Sequence, residues 1–191
     1  ATALLPLVLY PLLGIMKTRE CAPIYVNSTI FLFIGGFMIA VTMEKWRLHK
    51  RIALWIIRRI GGGPTRIVLG FMVAAAFLSM WISNTATAIM MVPIAMAIIL
   101  QLEERFGTTA CHGFTVALML GIAYACSLGG IATLVGTPPT LSFARIFEIT
   151  FPNAEPIAFG QWLVMAFPVT IVMLTFVWLL LTRVFFRFGE S

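Results

Sequence analysis

Two stretches of the chain, residues 67–100 and 113–144, run for 34 and 32 residues without a charge, and small polar or helix-breaking residues interrupt each midway. As one helix rising roughly 1.5 Å per residue, either stretch would measure about 50 Å, against a bilayer hydrocarbon core of about 30 Å. Each must therefore break or fold back. The interruptions are Ser83-Asn84-Thr85 in the first run and residues 129–139 in the second. Irregular backbone at membrane depth survives only inside protein or beside a polar cavity, so both breaks are candidate sites. The first run predicts a re-entrant helical hairpin over residues 65–102, because a helical returning arm over 86–101 would span only about 24 Å. Two complete spans would keep the same orientation but place a charge-free turn at the far surface. The second run predicts a discontinuous helix over 113–148, broken by Gly129-Gly130 and Gly136-Thr137-Pro138-Pro139.

The flanking pattern completes an all-α integral membrane chain. Residues 1–16 read as the remainder of a span, with Pro6 and Pro11 inside and neither the basic leader nor the small-residue cleavage site of a signal peptide. The chain thus reads as a piece of a longer protein. Residues 24–43 form a second apolar segment, whose Gly35-Gly36 pair suits close helix packing. Over 45–60, Leu48, Ile52, Trp55 and Ile56 share one helical face while Arg47, Lys50, Arg51 and Arg58 cluster on another. This is the pattern of an interfacial amphipathic helix, imperfect at Leu54 and Arg59 and ended by Gly61-Gly62-Gly63-Pro64. Residues 151–156 read as an outer loop, and 161–182 as a returning span with Pro168 inside and Arg183 and Arg187 at its inner end.

Composition agrees with a membrane protein: 61% of residues are hydrophobic and 10% charged, where a soluble domain carries roughly 25% charged residues. The net charge of +6 is concentrated in Lys45, Arg47, Lys50, Arg51, Arg58, Arg59 and Arg66, opposed between 44 and 66 only by Glu44. The positive-inside rule makes residues 44–66 cytoplasmic, where these cations meet lipid phosphate; a nucleic-acid role does not suit so apolar a chain. Cys21, Cys111 and Cys126 have no paired spacing, and His49 and His112 are the only histidines, so neither a disulfide framework nor a zinc site is indicated. There is no aspartate, and each glutamate lies in or beside a connection. No nucleophile–base pair or metal-ligand cluster can be assembled, which argues against an enzyme.

The tip residues Ser83, Asn84 and Thr85 offer hard side-chain oxygens, and carbonyls freed where helix stops add more. Such a set suits sodium. The second arm begins there, so its unpaired amides and positive dipole end suit an anionic carboxylate. Half-helix amino termini hold substrate and unwound carbonyls hold coupling cations in many transporters. A lone membrane hydroxyl usually bonds only its own backbone, but a contiguous Ser-Asn-Thr at the centre of an overlong run points to function, Asn84 above all because its amide is costly to leave unpaired. Residues 129–139 are not a phosphate loop, since they lack the closing lysine and hydroxyl. Trp81 suits packing, and Trp46, Trp162 and Trp178 suit anchoring near the membrane interfaces.

The run Ser79-Met80-Trp81-Ile82-Ser83-Asn84-Thr85-Ala86-Thr87, followed by the 129–139 segment, resembles the first repeat of the divalent anion/sodium symporter family. The likeness covers nearly the whole chain, including Phe31-Leu32-Phe33-Ile34-Gly35-Gly36-Phe37 and the basic helix. It implies carriers of dicarboxylate, citrate or sulfate built from two inverted repeats, each with a re-entrant hairpin, in homodimers that work by elevator-like motion. One tip is present here, so the resemblance places the second repeat outside this sequence. It divides the chain into 1–63, scaffold-type spans plus the interfacial helix; 64–150, a transport-type segment; and 151–191, a returning transmembrane helix. Carried over by position, the sodium site would use Ser79, Ser83, Asn84 and Gly136, with backbone carbonyls from Ser79 and Gly136. Substrate would meet Asn84, Thr85, Gly136 and Thr137. Thr140, after Pro138-Pro139, stands where the family commonly has asparagine.

The resulting expectation is a secondary transporter in the plasma membrane that couples sodium entry to uptake of di- or tricarboxylates such as succinate or citrate. Its rivals are a sodium-independent dicarboxylate exchanger on the same scaffold and a non-transporting membrane subunit.

Overall fold

Small residues decide where the helices meet. A computed structural model describes residues 4–26, 28–60 and 62–186; residues 1–3, Gly61 and the expected inner cation Arg187 lie outside them. Among the described residues the chain forms α1 (Leu5–Leu12), α2 (Thr18–Tyr25), α3 (Ser28–Lys45), α4 (Leu48–Ile60), α5 (Pro64–Ser79), α6 (Asn84–Phe106), α7 (Thr108–Ile131), α8 (Pro138–Thr150) and α9 (Phe159–Leu179). A π-helical turn, Leu180–Phe185, prolongs α9. No strand occurs among the described residues. Among the described residues, three helices are long and apolar enough to cross a bilayer: Asn84–Phe106, Thr108–Ile131 and Phe159–Phe185.

The centre of the fold is α7, which packs against both α5 and α6 more extensively than those two pack against each other. On α5, Phe71, Met72, Ala74, Ala75 and Leu78 have no exposed surface; on α7, Ala117, Leu118, Ile122 and Ala125 complete the core. Alanine and glycine bring the two backbones together: a methyl added at Gly121 would press Met72 at 3.1 Å, and one at Gly129 would overlap the Ala76 backbone. Such close contact replaces, in a membrane, the hydrophobic drive that lipid tails remove.

The first charge-free run does break beside Ser83-Asn84-Thr85, at residues 80–83, but its arms differ from expectation. The returning arm does not stop near residue 101. It continues through Glu103, Glu104 and Arg105 to Phe106, 23 residues in all, or about 35 Å, enough for a crossing by length. Glutamate and arginine favour helix as well as the apolar residues do, so loss of hydropathy did not end it. Gly107, at φ 84°, ends it instead. The entering arm α5 is the shorter one, with 16 residues.

The basic helix also differs in detail. Its buried edge is Ala53, with Ile56 and Ile57 beside it, and Gly70 of α5 lets the Ile57 backbone approach closely. Leu48 and Trp55, expected on the apolar face with Ile52 and Ile56, are exposed, and Arg59 lies 5.4 Å over the Trp55 ring. The helix therefore has two apolar edges, one spent on α5 and one facing outward. Arg47 adopts φ 51° at the sharp turn from α3.

Candidate functional site

The first break is a four-residue turn, 80–83, between α5 and α6. Ser83 caps α6, its Oγ accepting the Ala86 N–H at 3.3 Å, which satisfies one of the four amides that a helix start leaves unpaired. Ser83 and Thr85 are exposed and Asn84 is half-buried. Ser79, the last residue of α5, is fully buried.

The second break is narrower than the sequence suggested. Gly129 and Gly130 lie inside α7, and the non-helical segment is only 132–137. None of Gly129, Gly130 and Gly136 has a positive φ among the described residues, so glycine is there for space and not for backbone geometry. A methyl at Gly136 would strike the Gly130 backbone, and one at Gly130 would strike the Asn84 amide and lie 2.7 Å from Thr137 Cγ2. Gly130 is thus where the tip and the break meet. From the sequence Gly130 reads only as a helix breaker, since close approach of two backbones has no signature in residue spacing.

Proton accounting orients the Asn84 amide. Ser79 Oγ lies 2.7 Å from the Cys126 carbonyl and 2.7 Å from the atom assigned as Asn84 Oδ1. A hydroxyl has one proton and cannot donate to both. Amide oxygen and nitrogen are interchangeable by rotation, and turning the group lets Nδ2–H donate to Ser79 Oγ while Ser79 donates to Cys126. Asn84 then holds its oxygen free of Ser79. The side chain of Ser79 is consumed in positioning Asn84, which leaves only its backbone carbonyl as the ligand that the family resemblance implied.

Helix ends within a bilayer must find donors for their orphan carbonyls. The Ile131 carbonyl, last in α7, accepts Trp162 Nε1–H at 2.9 Å, and the Leu128 carbonyl accepts the Thr170 hydroxyl at 3.4 Å, both from α9. The Trp162 ring also lies 5.9 Å from Phe143 of α8, so one side chain bridges both halves of the broken helix. Trp178 Nε1–H donates to the Thr65 carbonyl at the start of α5. The indole N–H groups of Trp162 and Trp178, expected at the membrane interfaces, are spent on protein carbonyls. Beyond the break, Thr137 precedes α8, and its hydroxyl and carbonyl oxygens both bond the Thr140 hydroxyl.

Of the expected ligands, Ser79 and Asn84 are bonded to each other, Asn84 and Thr137 flank Gly130, and Ser83 and Gly136 line a common cavity. Thr85 is exposed on the first turn of α6. The cavity measures about 40 Å³ and is completed by Trp81, Val135, Pro138, and Gly36 and Phe37 of α3. It has room for a few waters, each needing roughly 10–15 Å³ of such space, or for one desolvated ion. Its lining is mostly apolar, and the Ser83 hydroxyl is the one side-chain oxygen among the described lining residues. Among the described residues, no group of three or more His, Cys or Glu side chains could hold a transition metal.

The citrate transporter family profile matches residues 1–190. The chain is 42% identical over 191 residues to the sodium-dependent dicarboxylate transporter SdcS of Staphylococcus saprophyticus, covering 98% of this chain and 36% of that protein. It is 44% identical to SdcS of Staphylococcus aureus strain NCTC 8325, with the same coverage. The chain therefore spans little more than a third of the length of these relatives. Both are named as transporters and not as enzymes.

Proposed function

The chain belongs to the citrate transporter family, and we propose that it forms one half of a secondary active transporter that couples sodium entry to uptake of di- or tricarboxylates such as succinate or citrate. The observation that carries this reading is the convergence of the tip and the break on Gly130, with Asn84 and Thr137 on either side. The name of the relatives supports sodium coupling over the sodium-independent exchanger.

Sodium is held by Ser83 and Asn84 side-chain oxygens and by the carbonyls of Ser79 and Gly136. The anion meets Asn84, Thr85, Gly136 and Thr137. No lysine or arginine lies between residues 67 and 100 or between 113 and 144, so the dianion depends on the α6 amino terminus, worth roughly half a positive charge, and on sodium itself. Cation binding thus precedes and enables anion binding. Thr137 must share the hydroxyl it spends on Thr140, which ties anion contact to the first turn of α8.

In this reading α5 and α6 form a re-entrant hairpin, residues 64–150 act as the transport-type segment and 1–63 as the scaffold, with 151–191 returning across the plasma membrane. The bonds from Trp162, Thr170 and Trp178 couple that last helix to α5 and α7. Residues 44–66 face the cytoplasm, with Leu48 and Trp55 in the lipid interface. A second inverted repeat, supplied by sequence outside this chain, completes the pocket, and two copies form a homodimer with elevator-like motion.

The test is labelled succinate uptake by the full-length protein in proteoliposomes, with and without an inward sodium gradient. Sodium-dependent uptake is expected. Uptake driven only by internal succinate would replace symport with exchange, and no movement of any di- or tricarboxylate would remove the transport reading.

A further inference from the structure

We propose that Thr133 is a positioning residue, a hydroxyl latch that sets the backbone of the break against the hairpin tip. Its side chain is fully buried. The hydroxyl donates to the Met80 carbonyl at 2.6 Å and accepts the Gly136 N–H at 3.0 Å. One proton and two lone pairs allow both bonds at once. Met80 is the first residue past α5, and its carbonyl is one of the orphans that a helix end leaves. Gly136 carries an amide that has no helical partner, since α8 begins two residues later.

Among the described residues this is the only hydrogen bond between segments 80–83 and 132–137. The other links are contacts of shape: Gly136 on Gly130, and Asn84 and Thr137 about Gly130. Shape keeps groups apart but fixes no orientation, whereas a pair of short directional bonds fixes the plane of the Val135–Gly136 peptide, which immediately precedes the Gly136 carbonyl, relative to the tip. Ligand oxygens must be held to within about 0.5 Å for a site to work. The Val135–Gly136 peptide, next to the Gly136 carbonyl, is therefore held by Thr133, a residue in neither proposed ligand set. Valine keeps the shape of threonine and removes both bonds, leaving a buried donor and a buried acceptor unpaired. Serine keeps both bonds and loses one methyl.

The transport consequence rests on the sodium reading above, so the test has one readout that does not. Hydrogen–deuterium exchange on the full-length protein in nanodiscs would follow the peptide containing Gly136, and sodium-driven succinate uptake would follow function. Thr133→Val should speed exchange at Gly136 roughly tenfold, as loss of about one net hydrogen bond implies. It should raise the half-saturating sodium concentration several-fold while changing succinate KM less, and Thr133→Ser should restore both. Exchange at Gly136 unchanged in folded Thr133→Val would overturn the latch, as would equal failure of the serine and valine variants. If the valine variant does not fold, Thr133→Cys, with its weak donor, should fall between wild type and valine on exchange; wild-type exchange there would overturn the proposal. A wild type whose uptake ignores sodium would overturn the sodium reading, and exchange alone would then decide the role of Thr133.

Discussion

The tip between α5 and α6 and the break between α7 and α8 are opposite constructions. At the tip, polar side chains face out: Ser83 and Thr85 are exposed and Asn84 is half-buried. At the break they face in: Thr133 is fully buried and Thr140 nearly so, and their hydroxyls bond neighbouring residues. Glycine contributes to the break but is absent from residues 80–85. A turn meant to present side chains needs capping, which serine supplies. A break meant to receive another backbone needs the removal of side chains. In the proposed transporter the tip offers ligands and the break holds the tip in place.

Adjacent glycines break this comparison most severely. A methyl at Gly129 meets the Ala76 backbone, which cannot swing away, whereas the atoms nearest to one at Gly130 are in the side chains of Asn84 and Thr137. Gly129→Ala should therefore cost about 3 kcal/mol or more, the upper range for overpacking, seen as lost folded yield and a lowered melting temperature of the full-length protein. Gly130→Ala should fold, with sodium-dependent uptake cut at least about tenfold because the Asn84 amide must turn aside. A folded, active Gly129→Ala would show that the α5–α7 crossing is not at its closest possible approach.

Asn84→Ala should come next. It removes the free amide oxygen and the partner of Ser79, so sodium and succinate affinities should fall together, each by about tenfold or more. Unchanged sodium-dependent uptake would remove Asn84 from both ligand sets. Ser83→Ala should cost about 1 kcal/mol of stability from the lost α6 cap, with sodium affinity falling beyond that. Equal sodium affinity in the alanine variant would reduce Ser83 to a cap alone.

The smallest effect belongs to α9. Trp162→Phe keeps a ring beside Phe143 but loses the bond to the Ile131 carbonyl, and should lower stability by about 1 kcal/mol. The change is expected as a small drop in melting temperature with near-normal sodium affinity. A large loss of uptake would instead make Trp162 part of the site's alignment.

Much of this was legible in one dimension. Charge-free runs too long for one span had to break, and Ser83-Asn84-Thr85 and Gly136-Thr137-Pro138-Pro139 marked where, because hydrocarbon tolerates no unpaired backbone. The order of the tip and the break also supported the family that the comparison with relatives then established. Less legible was where helices end: α6 ran on through Glu103, Glu104 and Arg105, since helix propensity and hydropathy are separate properties. The edge of α4 that packs on α5, through Ala53 and Ile57, was not legible because periodicity shows that a face is apolar, not which neighbour covers it.

The sequence by itself determined an all-α chain suited to a membrane, the positions of its two breaks and the residue types able to meet sodium and a carboxylate. Those follow from local chemistry and from the mismatch between run length and bilayer thickness. Tertiary structure alone decided that α7 packs against both α5 and α6, that Gly130 joins the turn to the break, that Ser79 orients Asn84, and that Thr133 ties Met80 to Gly136. These facts join residues up to 53 positions apart, and no spacing along the chain encodes which hydroxyl will meet which orphan carbonyl once the backbones have packed.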